Sequence, residues 1–426
     1  MEIRAIKGFR DILPEETGLW QWVESKAREI FHLHGFKEIR TPILEYTELF
    51  KRSIGKETDI VSKEMYSFKD SKGRSISLRP EATASIVRAY IQNRLYNRSQ
   101  ILKLYTIGPM FRHERPQKGR FRQFHQLNAE ILGDPGPLSD MEIIVVSMKL
   151  MEIFQIKDIT LYINSIGCSN CRGLFKRELI GYLKTVKDTL CIDCKRRADS
   201  NPLRVFDCKM PDCRDAMDKA PNILHFLCPE CKAHLQNLLD MLKENGVEYE
   251  LNPRLVRGLD YYTRTAFEIQ SSSLGAQNAI VGGGRYDGLI KTLGGPEIPA
   301  IGFAIGMERL ISLISDDLKP ALILPDIFIA CLGDRAKRIG TRWMMLLRDN
   351  GIRAEMSYSP KSLKAQLRMA DKMGTKAAVI VGEDELEKGK VIFRDMKEGN
   401  QQEIYMDNLI DNLKEILSGR DNNGSN

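Results

Sequence analysis

A chain of 426 residues exceeds what one ordinary core fills and predicts roughly two to four domains. Its formal charge of +7 is a mild basic excess, compatible with a nucleic-acid partner and equally with a lysine-rich solvated surface. No apolar run reaches the roughly 18 residues of a membrane span and the N-terminus has no signal-peptide core, so the expectation is a cytoplasmic enzyme without a membrane partner, and its nine cysteines point to metal or plain burial rather than disulfides.

Residues 19–34 read as an amphipathic helix: Trp20, Val23, Ala27, Ile30 and Phe31 recur at helical spacing, and Gly35 supplies a stop. Residues 37–46 turn extended, with Pro42 placing them at an edge or an interface. Residues 101–114 and 122–132 read as antiparallel strands joined by a basic loop that carries Arg115, Lys118 and Arg120. In the returning strand Phe124, Gln126, Asn128 and Glu130 share a face by period-two alternation. An aromatic, amides and a carboxylate on one face are costly to bury without a ligand. That face suits a nucleotide site, with Arg112 on a phosphate, Phe124 against a base and Glu130 on an ammonium. The plainer alternative is a wet strand with surface ion pairs. His113 and His125 flank the loop and read either as phosphate contacts or as ordinary strand histidines.

From residue 168 to 245 cysteines and basic residues crowd in, and helical patterns appear at 174–186 and 233–245, which predicts an inserted, mainly helical module. Cys168-x-x-Cys171, Cys191-x-x-Cys194, the wider pair Cys208 and Cys213, and Cys228-Pro-Glu-Cys231 allow two four-thiolate zinc sites. Buried reduced thiols are the alternative, and the spacing does not say how the pairs combine. Cys331 reads as a core residue. Strand character returns at 255–270 and 278–282. Within it, Arg257, Asp260, Tyr261 and Tyr262 are packed as a pocket for a small zwitterion requires. Residues 302–310 look like a strand, a glycine turn and a helix start.

After a linker at 320–325, strands at 326–331, 353–357, 377–381 and 390–393 alternate with helices at 336–350, 363–373 and 406–417, which predicts a small α/β domain. The polar tail from 418 on reads as disordered.

Three stretches resemble, in order, the signatures of class II aminoacyl-tRNA synthetases: Gly35-Phe-Lys-Glu-Ile-Arg-Thr-Pro-Ile-Leu-Glu45, residues Met110 to Glu130, and Gly302-Phe-Ala-Ile-Gly-Met-Glu-Arg-Leu310. With Leu255-Val-Arg-Gly-Leu-Asp-Tyr-Tyr-Thr-Arg-Thr-Ala-Phe-Glu268 and Gly282-Gly-Gly-Arg-Tyr-Asp-Gly288 added, the chain is similar over nearly its whole length to the bacterial histidyl-tRNA synthetase family. The resemblance implies an α+β multidomain protein. Residues 1–167 and 251–320 would form the family's antiparallel catalytic sheet flanked by helices, 168–250 the insertion, 326–418 an anticodon-binding domain and 419–426 a tail.

The implied activity joins L-histidine to tRNA(His) in two steps, through histidyl-adenylate and pyrophosphate, with ATP and Mg2+ as substrate and a homodimer as the working form. Zinc in the insertion is not required by that chemistry. Carried over residue by residue, Glu81, Thr83, Gln126 and Glu130 match positions that hold the substrate ammonium, and Tyr261, Tyr262 and Tyr286 match those around the imidazole. Arg112 and Arg309 match phosphate clamps, which with Glu114, Arg120 and Phe124 make an ATP site. Arg257 matches the arginine peculiar to histidine enzymes, which reaches the α-phosphate; the plainer alternative is a partner for Asp260 or another carboxylate. Arg115, Gln117 and Arg122 match positions near the tRNA acceptor end. Two other readings remain. A histidine-sensing regulatory subunit of ATP phosphoribosyltransferase would lack the last domain and phosphate-clamping arginines. A glycine, proline or threonine ligase would lack the paired tyrosines.

Overall fold

The computed structural model describes residues 2–55, 58–117, 119–275, 278–320 and 323–421. The chain divides into two compact units, Met1–Pro320 and Ala321–Asn426. The first runs α1 (Pro14–Leu33), β1 (Lys37–Glu38), β2 (Leu44–Tyr46), α2 (Thr47–Ile54), β3 (Ser67–Lys69), β4 (Ser75–Leu78), α3 (Thr83–Gln92), β5 (Leu102–Phe111), β6 (Gln123–Leu132), α4 (Pro137–Ile153) and β7 (Ile159–Ser165). It continues with α5 (Ser169–Thr185), α6 (Ile192–Ser200), α7 (Pro211–Met217), α8 (Pro229–Glu244), β8 (Glu250–Leu251), β9 (Thr263–Ser271), β10 (Ala279–Arg285), α9 (Leu289–Thr292), β11 (Ala300–Gly306) and α10 (Met307–Leu313).

The helix expected from residue 19 starts at Pro14, because proline is suited to a first helical turn and Glu15 and Glu16 favour its positive end. Eight strands form one sheet in the order β1-β5-β6-β11-β10-β9-β7-β8, antiparallel through its centre. Alternation sorts its two faces. Leu127, Ala129, Ile131, Ile301, Phe303 and Ile305 join Trp20, Val23, Ala27 and Phe31 of α1 in the main core. Gln126, Asn128 and Glu130 point the other way, with Gly306, Ala304 and Gly302 paired beside them.

The strand expected over 255–270 begins only at Thr263. Residues 255–262 are irregular, since Arg257 and Asp260 engage other elements instead of a ladder. The helices expected at 174–186 and 233–245 are α5 and α8, and each starts several residues early, just after a cysteine.

The second unit has β12 (Ile327–Cys331), α11 (Asp334–Asp349), β13 (Ala354–Met356), α12 (Leu363–Lys372), β14 (Ala377–Val381), α13 (Glu383–Lys388), β15 (Lys390–Asp395), β16 (Gln401–Tyr405) and α14 (Leu409–Asp421). Its sheet order is β13-β12-β14-β15-β16, with β12 parallel to both neighbours. Separate apolar clusters centre on Leu347, Val379 and Leu413 and on Phe328, Ala370 and Ile380. Two elements of this unit escaped the sequence reading: α13, too short and acidic to show a helical period, and β16, which is almost wholly exposed. The tail expected to be disordered lends residues 418–421 to α14, and 422–426 lie outside the described residues.

Candidate functional site

A cavity of about 280 Å³ opens on the polar face of the first sheet, over β6, β11 and β10. Two glycines make room in its floor. A Cβ on Gly302 would stand 1.5 Å from Glu130 Oε2, and one on Gly282 would stand 1.8 Å from Arg257 Nη2. Only a residue without a side chain allows those groups to lie flat on the strands.

One end of the cavity is a buried acid–phenol cluster. Glu130 is 1 % exposed; its Oε1 accepts from Thr83 Oγ1 at 2.7 Å and its Oε2 from Tyr286 Oη at 2.6 Å. Burial pushes its carboxyl up to about 8, against the opposing pull of those two hydroxyls. Glu81 caps α3 by accepting from the backbone N–H of Thr83 at 2.7 Å and Ala84 at 2.8 Å, and burial raises its carboxyl as well. The ring of Tyr261 lies 4.8 Å from Tyr262 and 5.5 Å, edge-on, from Tyr286. A desolvated carboxyl beside a second acid and three phenols offers hydrogen-bonding oxygens and ring walls that suit a cationic group carried with an aromatic or polar ring.

The other end is cationic. Arg112 donates to the Pro80 carbonyl at 2.9 Å and lies 5.3 Å from the centre of the Phe124 ring. Glu114 sits between Arg120 at 2.9 Å and Arg112 at 3.8 Å. Arg309 donates to the Ala279 carbonyl at 2.6 Å and reaches the Gly119 carbonyl at 3.4 Å. Burial and the neighbouring Arg120 cation lower its affinity for a proton. Arg257 pairs with Glu268, not with Asp260, and its Nε is buried without a hydrogen-bond partner among the described residues. Gln126 Oε1 and Asn128 Nδ2 are in the same condition. Buried polar atoms rarely go unpaired, so these three mark where a ligand's polar groups belong.

Thus Glu81, Thr83, Arg112, Glu114, Arg120, Phe124, Gln126, Glu130, Arg257, Tyr261, Tyr262, Tyr286 and Arg309 all line one cavity. Arg115, Gln117 and Arg122 stand apart from its lining. Arg115 and Gln117 are exposed, while Arg122 donates to the carbonyls of Glu114 and Lys7, both at 3.2 Å. Lys118 lies outside the described residues. His125 is the plain strand histidine of the two readings: its backbone N–H and Nδ1 meet Glu308 at 2.9 and 3.1 Å, and its ring packs against Trp20.

Sequence reasoning missed Glu268 as the partner of Arg257 and Glu308 in the cavity wall. It also missed the role of Arg285. That side chain is fully buried, paired with Asp140 of α4 and bonded to the carbonyls of Asp134 and Gly136 at 2.9 and 2.7 Å. His234 of α8 meets the other oxygen of Asp140 at 2.8 Å. Such partners are far apart in the chain, and no local pattern announces them.

The cysteines resolve into two groups, Cys168, Cys171, Cys228 and Cys231, and Cys191, Cys194, Cys208 and Cys213. All eight are free thiols, and within each group every Sγ lies within 4.8 Å of the others. The Cys168–Cys171 and Cys191–Cys208 separations of 3.5 and 3.9 Å fit the edge of about 3.8 Å that a tetrahedron of ~2.3 Å Zn–S bonds requires. Backbone N–H groups of Cys228 and Cys191 donate to Cys171 Sγ and Cys213 Sγ, each at 3.1 Å, which suits thiolates.

An antiparallel sheet carrying a two-ended cavity, with a separate α/β unit, is the architecture of a class II aminoacyl-tRNA synthetase. Residues 8–171 and 207–310 match the Histidyl-tRNA synthetase family, and 326–416 match the family described as Anticodon binding domain. A histidine–tRNA ligase of Desulfatibacillum aliphaticivorans is 51% identical over 98% of this chain and 99% of its own. One from Desulfosudis oleivorans is 50% identical over 99% and 100%. The crystal structure of apo S. aureus histidyl-tRNA synthetase superposes with a TM-score of 0.81 at 36% identity, covering 97% of this chain and 100% of that one. The chain belongs to the histidyl-tRNA synthetase family.

Proposed function

We propose that the chain is a histidine–tRNA ligase that makes its aminoacyl adenylate in this cavity. The observation that carries the reading is the joining of a buried acid–phenol pocket to a row of guanidinia in one continuous space. Glu130, Glu81, Thr83 and Gln126 receive the α-ammonium of histidine. Tyr261, Tyr262 and Tyr286 wall the imidazole. That placement leaves the substrate carboxylate facing Arg257 and Arg112.

The nucleophile is already ionised, so the first step needs position and charge more than proton transfer. The histidine carboxylate attacks the α-phosphorus of ATP, a carboxyl–phosphorus bond forms, and pyrophosphate departs with the cleaved bond's electrons. Arg112 and Arg257 stabilise the charge gathering at the α-phosphate, Arg309 the γ end, and Arg120 is positioned by Glu114 for the same polyphosphate. Phe124 stacks on the base. Mg2+ arrives with ATP and neutralises its phosphates; Glu114 and Glu308 are cavity-lining carboxylates, the hard oxygen donors it prefers.

In the second step the terminal hydroxyl of tRNA(His) attacks the adenylate carbonyl and AMP leaves. Exposed Arg115 and Gln117 are placed to meet the acceptor end, and Arg122 shapes their loop. The reading includes residues 326–418 as the anticodon reader, a homodimer and a cytoplasmic location. Among the described residues no helix is long and apolar enough to cross a membrane. Each four-cysteine group is assigned a structural Zn2+ outside the reaction.

Histidine-dependent ATP–pyrophosphate exchange, with glycine, proline and threonine as controls, tests the proposal. Exchange with histidine alone is expected. A folded protein that exchanges with none of the four is a regulator instead of a ligase.

A further inference from the structure

The two cysteine groups belong to different cores. Cys171 and Cys231 are buried in the main core of the first unit, with Cys168 and Cys228 packed on it. Cys194 and Cys213 are buried in a second core that also holds Tyr262, and Cys191, Cys208, Leu259 and Tyr261 pack on that one. The second cysteine group is therefore continuous with the tyrosine wall of the cavity.

Between its two cysteine pairs the chain makes a strut. Arg197 of α6 donates to Asp59 at 2.8 Å, and Asn201 Nδ2 donates to Asp260 Oδ1 at 3.0 Å. Arg204 pairs with Asp207 at 2.8 Å and donates to the Arg257 carbonyl at 3.3 Å. Gly258 runs so close beneath Arg204 that a Cβ there would lie 3.1 Å from its Nη1. Contacts from the strut thus fall on both ends of the 257–260 turn, which presents Arg257 to the cavity. The strut is itself short irregular structure, a helix of 9 residues followed by a 3-10 turn at Pro202–Asp207. Pieces this small rarely hold a shape without a staple.

We propose that Zn2+ at Cys191, Cys194, Cys208 and Cys213 is a positioning site for catalysis: it holds the strut, and the strut holds the Arg257 turn. The group at Cys168, Cys171, Cys228 and Cys231 anchors the insertion to the catalytic core. This rests on the ligase reading and on zinc occupancy. The metal takes no part in bond making; its effect passes through Arg204 and Asn201 to the turn.

The test uses full-length protein purified without chelator. Metal analysis is expected to find about two zinc ions per chain and no iron; no zinc, or iron in its place, overturns the metal assignment while leaving exchange activity to judge the ligase reading. A Cys191→Ser, Cys194→Ser double variant is expected to keep about one zinc, to lose at least tenfold in histidine-dependent exchange, and to show faster amide hydrogen exchange at residues 256–262. Arg204→Met covers the case in which that variant fails to fold. It should retain about two zinc ions yet reproduce the kinetic loss and the faster amide exchange. Wild-type exchange rates and protection in Arg204→Met, or in the double variant with one zinc gone, would overturn the positioning role.

Discussion

Glu130 shows how much one carboxyl can be asked to do. It is buried beside Glu81, and burial lifts it to about 8, so in the free protein it holds its proton at neutral pH. An arriving ammonium reverses that preference, because the ion pair favours the carboxylate. Histidine binding at pH 7.5, where the ligand's own imidazole is mostly neutral, is therefore expected to release a proton. Calorimetry in two buffers of different ionisation heat reads that release directly, and none would remove Glu130 from the ammonium site. The same shift works on folding with the opposite slope. Glu130 supports the fold below its unfolded value near 4.5, and that support is lost as pH rises through about 8. Arg257 serves a different purpose. It is already paired with Glu268, and its Nε is buried without a hydrogen-bond partner among the described residues. Arg257→Ala is expected to cost at least about 100-fold in exchange, the scale of losing one preorganised donor at a charged transition state. The circular dichroism spectrum should stay native. A near-normal rate would exclude Arg257 from the chemistry.

At the scale of elements, the Gly282–Gly288 stretch divides its labour in a way its composition does not reveal. Tyr286 faces the cavity, whereas Arg285 turns away to lock β10 onto α4 through Asp140. Arg285→Met would leave Asp140 buried with only His234 and Thr265 as side-chain partners. Breaking a buried pair from one side typically costs about 3–5 kcal/mol, so urea unfolding should show a loss of about 3 kcal/mol. A loss under ~1 kcal/mol would mean that the network carries little. The strands with the clearest alternation, β5 and β6, were legible in sequence, as were the amphipathic α1 and the apolar β14. Residues 255–262 were misread as strand. Their aromatic and apolar content imitates a ladder, but their backbone follows contacts to Ile54, Asn164 and Arg204 that lie far off in the chain.

At the scale of the molecule, each unit has its own apolar core, so removal of residues 326–426 is expected to leave the catalytic unit folded. Adenylate formation should then fall far less than tRNA charging. Parallel assays of exchange and aminoacylation check this, and equal losses would contradict a separate anticodon role for the second unit. The sequence by itself determined the family and the α+β layout, and the thirteen residues that the family resemblance assigned to histidine and ATP all line the cavity. The layout rests on short-range order, since period-two faces and glycine turns survive in the linear text, while the site residues came from the resemblance of dense polar motifs to the family's signatures. What only the tertiary structure decided was partnership. It chose Glu268 over Asp260 for Arg257, Asp140 for Arg285, and one combination of cysteine pairs out of those the spacing allowed. Each of those choices joins groups from separate elements. The physical reason is that burial and distance set them, and both exist only once the chain has closed its loops and packed its cores.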